Sequence, residues 1–404
     1  MYPVLNHHYE LRLHPSKQGT IRKKGTHLNA QLNETATEIL TQCNGTTSTQ
    51  TIIKRLAHNH SDTIDHVNML ITTFLHQARD QGYVKFHKHP VQHNGSTVGS
   101  TTYFSPSHAS IELTYQCNLK CKHCYANAST TTAKRLSLPE AKQILRSLQK
   151  IGVATITLSG GEPTIHPQFL QILKYASQRF ERIQILSNGW KITEVFAQNL
   201  QPYKDKLIVQ ISVDGMNEKT HDYIRGRQGS FKRACNAISV LSKQHISCTA
   251  AMLITRFNLP QIEQTFLLTQ RLGAEGFRIG RTTSTGRAKL KHWELTQKEF
   301  KKAGETICRL SKQYGNNVYV ESWEDIITGV HPTITESTQQ HNTRSNCGAG
   351  HRVINITPAG DVTPCSLFTK KQFILGIIIL MVYMLYFATW LKMALTHGFW
   401  QPGD

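Results

Sequence analysis

Two hydrophobic rhythms divide this chain. Up to residue 86, brief alternation gives way to helical spacing. Tyr9–Leu13 and Thr20–Arg22 read as short strands around a Ser16–Gly19 turn. Helices follow over Asn33–Cys43, with Asn33 as N-cap and Asn44-Gly45 as the stop, then over Thr49–His58 and Thr63–Gln81. In the last of these, Val67, Leu70, Ile71, Phe74 and Leu75 recur at helical spacing. Tyr83–Phe86 reads as a closing strand. Strands, three helices and a final strand predict a winged-helix-like domain over 1–86. Residues 87–108 are rich in His, Pro, Gly, Ser and Thr, show no apolar period, and read as a flexible linker.

From Ala109 the rhythm changes. Apolar runs at 110–114, 153–158, 182–186, 207–213, 248–254 and 276–280 read as buried parallel strands. Helical patterns fill the gaps, at roughly 137–150, 167–179, 192–201, 230–244 and 258–272. Such alternation predicts an α/β domain with a parallel sheet. Six β-α units match a partial (β/α)6 barrel over 109–320. Its chemistry belongs at the C-terminal ends of the strands.

Composition changes this picture little. With 404 residues the chain is long enough for two or three domains. A net charge of +20 admits nucleic acid, an anionic membrane or an acidic peptide as partner. No dense Lys/Arg run marks a nucleic-acid arm, so none is expected. Of nine cysteines, three are clustered, Cys347 and Cys365 share a pattern, and Cys43, Cys235, Cys248 and Cys308 are scattered. This is not a disulfide framework. The opening residues lack a charged-then-apolar signal, which points to a reducing cytoplasm.

The candidate chemistry lies at the strand ends. Straight after the first barrel strand, Cys117, Cys121 and Cys124 stand at C-x3-C-x2-C spacing. Three thiolates there can hold three irons of a four-iron cluster and leave the fourth open to a ligand. Zinc is the rival reading, with His123 as a fourth ligand. After the second strand comes Ser159-Gly160-Gly161-Glu162-Pro163, after the third Ser187-Asn188-Gly189, and after the fourth Ser212-Val213-Asp214-Gly215. One such ending is a turn; three beside a cysteine loop make a site.

The cysteine spacing together with Gly-Gly-Glu-Pro resembles the radical S-adenosylmethionine (SAM) superfamily. The resemblance implies a [4Fe–4S] cluster on Cys117, Cys121 and Cys124, with SAM on its open iron. It implies that Gly160, Gly161 and Glu162 receive the methionine amino group. Ser187 and Asn188 would lie near the cofactor, Ser212 and Asp214 near the ribose, and Arg225 against the carboxylate. Asn258 and Gly286-Arg287-Ala288 fit the layout with less weight. Residues 1–86 resemble in layout the leader-peptide recognition domain related to the pyrroloquinoline-quinone chaperone. Cys347-x12-Gly360-x4-Cys365 resembles the start of a SPASM extension, which carries auxiliary clusters in peptide-modifying members. Within the superfamily the chain is similar to the sactipeptide synthases, the branch of the subtilosin maturation enzyme. That implies Cys-sulfur to α-carbon thioether formation in a ribosomal precursor peptide, bound through its leader. A donor such as flavodoxin or ferredoxin would supply electrons. Epimerisation, another cyclisation, or a non-catalytic leader-binding remnant are the alternatives.

The SPASM-like pattern, over 321–372, stops after Gly376, and no cysteine follows Cys365. Instead Phe373–Leu391 is free of charge and flanked by lysines. Within the tail 373–404 this reads as frameshifted sequence, as a membrane segment or as a buried core helix. On the first reading, radical generation stays intact while product formation is crippled.

Overall fold

The computed structural model describes residues 1–377 except 27, 93–94, 132–133, 283–284, 291–292, 294, 315–317, 321–347, 351 and 369–370. These fall into two compact units, one spanning Met1–Pro106 and one beginning at Ser107.

The first unit opens with β1 (Tyr2–Leu5), β2 (Tyr9–Leu13), β3 (Gly19–Lys23) and β4 (Asn29–Leu32). Three helices follow: α1 (Glu34–Gln42), α2 (Thr49–Asn59) and α3 (Ile64–Asp80). Each starts where a side chain can accept a free helical N–H. Asn33 Oδ1 takes Ala36 N at 2.8 Å, Ser48 Oγ takes Thr51 N at 3.1 Å, and Thr63 Oγ1 takes His66 N at 3.3 Å. β5 (Val84–His87) returns antiparallel to β1, and β6 (Ser96–Gly99) pairs parallel with β2. The larger sheet therefore runs β4-β3-β2-β6. The core gathers Leu11, Ile21, Leu40, Ile52, Ile71 and Leu75. Leu70, although at helical spacing, is 51% exposed on α3, beside the exposed Met69.

The stretch read as a flexible linker thus contributes a strand. Ser96-Thr97-Val98-Gly99 has too few apolar residues to show a period, and backbone pairing with β2 orders it instead. β1 and β4 are also additions to the sequence reading.

The second unit alternates strand and helix. In order come β7 (His108–Thr114), α4 (Leu138–Lys150), β8 (Thr155–Gly160), α5 (Phe169–Ser177), β9 (Arg182–Ser187), α6 (Glu194–Leu200) and β10 (Leu207–Ser212). Then follow α7 (Glu218–Arg225), α8 (Ser230–Lys243), β11 (Cys248–Ile254), α9 (Ile262–Arg271), β12 (Gly276–Arg281), α10 (Gln297–Tyr314) and β13 (Val318–Val320). These strands are parallel and lie side by side in chain order. Right-handed crossovers between sequential neighbours put every helix on one face. That face is buried: Val209 and Ile211 of β10, and Ala250 and Met252 of β11, are at most 1% exposed. The opposite face is half-buried and polar. His108, Thr157, Gln184, Gln210 and Arg278 form a hydrogen-bonded ladder across it, with steps of 2.9, 3.2, 3.4 and 3.5 Å. The barrel strands therefore alternate, rather than being apolar on both sides as the runs suggested.

The sheet also extends beyond six strands. β14 (Val353–Ile356) lies parallel to β7 on its free side, followed by antiparallel β15 (Asp361–Thr363) and β16 (Gly376–Ile377). The SPASM-like segment thus supplies β14 and β15 to the barrel sheet, and the start of the tail supplies β16. Cys347 and residues 378–391 of the apolar tail lie outside the described residues. At its start, Lys371–Phe373 is a 3-10 turn and Gly376–Ile377 a strand. Among the described residues no helix is long and apolar enough to cross a membrane.

Candidate active site

All four motif-bearing loops leave the C-terminal ends of adjacent strands, so strand order alone brings them together. The cysteine loop is fastened from three sides. Gly161 N donates to Thr114 O at 2.6 Å and Glu162 N to Gln116 O at 3.0 Å, so the loop after β8 runs against its root. Gly161 has no alternative here, since any Cβ would collide with Gln116 O. Lys122 N donates to Ile224 O at 2.9 Å, tying the loop to the end of α7. Arg287 closes the third side: its Nε reaches Cys121 O at 2.7 Å, its Nη1 reaches Ala128 O at 2.9 Å, and its backbone N reaches Cys124 O at 3.0 Å. Sequence reading gave Arg287 little weight, because nothing local shows that it spans from β12 to a loop far earlier in the chain.

Cys117 and Cys121 are buried and Cys124 is half-buried; all three are free thiols. Burial pushes the Cys117 thiol up to about 12, with Glu162 and Cys121 adding to the effect. It raises Cys121 as well, against the opposing Arg225. Thiols so placed ionise only with a cation to hold. Asn188 Nδ2 lies 3.8 Å from Cys117 Sγ, and Arg225 Nη1 lies 3.9 Å from Cys121 Sγ, so polar hydrogens already face the sulfurs. Asn118 Nδ2, within the loop, is buried without an acceptor. The donor set therefore fits an iron–sulfur cluster. His123, the fourth ligand of the zinc reading, is held through Nε2 by Asp214 Oδ2 at 2.7 Å, which leaves only its Nδ1 for a metal. Among the described residues, no three His, Cys, Asp or Glu side chains converge on a single metal ion.

Asp214 is the node behind the cysteines. Fully buried, it meets His123 and Arg225 Nε, each at 2.7 Å on Oδ2, while Oδ1 accepts from Leu253 N at 3.0 Å. Its own N donates to His221 Nδ1 at 3.1 Å, and its carbonyl accepts from Asn258 Nδ2 at 3.0 Å. Burial opposes its charge, but Arg225 and His123 outweigh that and hold the carboxyl well below the usual range. Burial, with Arg225 beside it, pushes His221 down to about 4. Glu162 is a second buried node. Its carboxylate accepts from Thr164 N at 3.1 Å, Thr164 Oγ1 at 2.5 Å, Ser187 Oγ at 2.8 Å and Asn188 N at 2.7 Å. Burial raises its pKa in spite of those donors. Glu162 thus pins the ends of β8 and β9 to each other. Gly160 precedes it as the last residue of β8, and Ser212 sits half-buried at the end of β10. The predicted residues Cys117 to Arg225 therefore form one connected region. Cys365 lies past β15, and Cys347 is not described.

Comparison with known proteins decides the family. Residues 111–269 match the radical SAM superfamily model, and residues 27–84 match that of coenzyme PQQ synthesis protein D. The chain is 31% identical over 372 residues to the antilisterial bacteriocin subtilosin biosynthesis protein AlbA of Bacillus subtilis, covering 92% of this chain and 78% of AlbA. This chain belongs to the radical SAM peptide maturases. The sporulation killing factor maturation protein SkfB of B. subtilis is 31% identical over 272 residues, 67% of this chain and 62% of SkfB. Among solved structures, Streptococcus suis SuiB bound to S-adenosylmethionine shares the fold, with a TM-score of 0.66 at 15% identity over 96% of this chain and 88% of SuiB. Membership brings a [4Fe–4S] cluster and SAM as cofactors, and the cysteine loop suits both.

Proposed function

We propose that this chain modifies a ribosomally made precursor peptide by radical chemistry, forming thioether links between cysteine sulfur and α-carbon. The observation that carries the reading is the joining of Cys117, Cys121 and Cys124 to Asp214, Arg225 and Glu162 at one set of strand ends. AlbA and SkfB, named for the maturation of a bacteriocin and a killing factor, support a peptide as substrate. So does the domain matching the PQQ synthesis family, for which we infer leader binding. There, among the described residues, β4 is an edge strand, the kind of edge that strand addition uses, and α3 leaves Met69 and Leu70 exposed.

The three cysteines would hold the cluster. Bound there with SAM, it supplies a 5′-deoxyadenosyl radical able to take hydrogen from carbon. The chain's own residues do the positioning. The Gly160–Glu162 turn would receive the methionine amino group through its backbone, with the Glu162 carboxylate holding Ser187 and Asn188 in place. Arg225 is charged, buried and fixed by Asp214, which suits it to a carboxylate. Ser212 and Asp214 would border the ribose. A small electron-carrier protein such as flavodoxin or ferredoxin would reduce the cluster, and Cys365 with Cys347 would serve an auxiliary cluster.

Under anaerobic, reducing conditions with SAM, the reconstituted protein is expected to release 5′-deoxyadenosine, and Cys121→Ala to release none. Chromatography of the quenched reaction reads both. Silence from the intact protein would sink the enzyme reading and leave a peptide-binding one.

A further inference from the structure

A buried carboxylate outside the site just described lines a cavity of its own. Glu112, on β7, is 2% exposed. Its Oε1 accepts from the Tyr125 hydroxyl at 2.6 Å, and its Oε2 accepts from Tyr115 Oη at 3.1 Å and Asn355 Nδ2 at 3.4 Å. Asn355, on β14, donates through the same nitrogen to Thr363 Oγ1 at 3.2 Å. The Thr363 hydroxyl in turn donates to Cys365 O at 3.1 Å, so its oxygen can only accept from Asn355. The amide orientation is therefore fixed, and Asn355 Oδ1 is left as an acceptor. That atom is buried and has no donor. A buried acceptor without a partner costs about 1–3 kcal/mol.

Beside it lies a cavity of about 120 Å³, lined by Glu112, Tyr115, Asn355, Thr363, Ser366 and Phe368 among others. Asp361 and Lys134 also border it, so two carboxyls stand against one ammonium. That balance repels an anion and favours a donor. The cavity adjoins the reaction centre, because Tyr125 follows Cys124 and β7 runs directly into the cysteine loop.

We propose that this cavity binds a side-chain end rich in N–H donors, an ammonium or a carboxamide, against the Glu112 and Asp361 carboxyls, and that a small turn of the Asn355 side chain brings Oδ1, closed off in this conformation, to the same group. That a precursor peptide presents this group rests on the function proposed above. The pocket then fixes one residue of the peptide beside the cluster and sets which neighbouring residue is modified. A peptide bearing Lys there and one bearing Asn or Gln share this chemistry.

Saturation-transfer NMR on the full chain tests it, with n-butylammonium, butyramide and butyrate as probes. The ammonium, the amide or both should show contact while butyrate does not, and the stronger of the two names the side-chain type. Asn355→Leu should weaken that contact at least tenfold, with its melting curve as the check on folding. Phe368→Trp, which narrows the cavity from another wall, should do the same. Equal response from butyrate, no response at all, or contact unchanged in both variants overturns the pocket and leaves it to water. These results do not depend on the enzyme reading, which stands or falls on 5′-deoxyadenosine. A peptide found to be modified should displace the probe at saturation, and a probe that stays bound rules out the peptide as occupant.

Discussion

At the scale of single residues the site is governed by two buried carboxylates with opposite electrostatic settings. Asp214 is held ionised by Arg225 and His123, whereas Glu162 faces only dipoles and its pKa rises. Removing Asp214 leaves the Arg225 guanidinium buried and unpaired. Asp214→Ala should therefore destabilise the cluster-free protein by about 3–5 kcal/mol in urea unfolding. Asp214→Ala with Arg225→Met should recover most of that loss, which a merely local packing defect would not allow. His221 carries the pH dependence. Burial, with the Arg225 charge beside it, lowers its pKa from 6.5 to about 4, and its Nδ1 accepts from Asp214 N. Between those values the unfolded chain binds more protons than the folded one, so stability is full above 6.5 and lost as pH falls toward 4. The loss should be about 3 kcal/mol. His221→Gln should flatten that part of the stability–pH curve, and an unchanged slope would contradict this account.

At the scale of elements, what could be read from sequence was what repeats. The six barrel strands and α1 to α3 each carry a period or a cap, and each lies within a few residues of its expected place. β1, β4 and β6 carry neither, and only pairing with a neighbouring strand orders them. α7 was missed because its eight residues, Glu218–Arg225, are mostly polar, and two of the three it buries, His221 and Arg225, are polar as well. The motif residues were legible because loops after parallel strands must meet at one end. Their partners were not: His123 to Asp214 spans 91 positions and Arg287 to Cys121 spans 166, and no local signal records such pairs. The end of α7 offers a direct test of how elements hold the cysteines. Gly226 caps it at φ +67°, where a Cβ would collide with Lys120 O. Gly226→Ala should push Lys120 and Cys121 out of place and lower the iron bound on reconstitution by half or more. Gly229, at φ +79° with nothing near its Cβ position, is the control, and Gly229→Ala should cost backbone strain alone. Equal iron in the two variants would mean that the loop is not positioned by α7.

At the scale of the whole molecule the parts of the second unit are joined through the barrel sheet and its strand ends. The barrel has its full set of strand-end motifs, and the first unit has a closed core. The SPASM-like segment gives the barrel β14 and β15, and its side chains reach Glu112 through Asn355. So this segment supports the barrel whether or not it holds metal. An auxiliary cluster needs about four protein ligands, and Cys347 and Cys365 are the pair proposed here to supply two of them. With that cluster in place, anaerobic reconstitution should load about eight irons per chain, and Cys365→Ala should lower the figure to about four. In that variant SAM cleavage should proceed while thioether yield falls, since the bond-forming step would lack a metal site for the substrate sulfur. Iron analysis and mass spectrometry of the peptide check the two halves separately. Equal iron in the two proteins would remove Cys365 from any cluster and leave the segment a purely structural part of the barrel sheet.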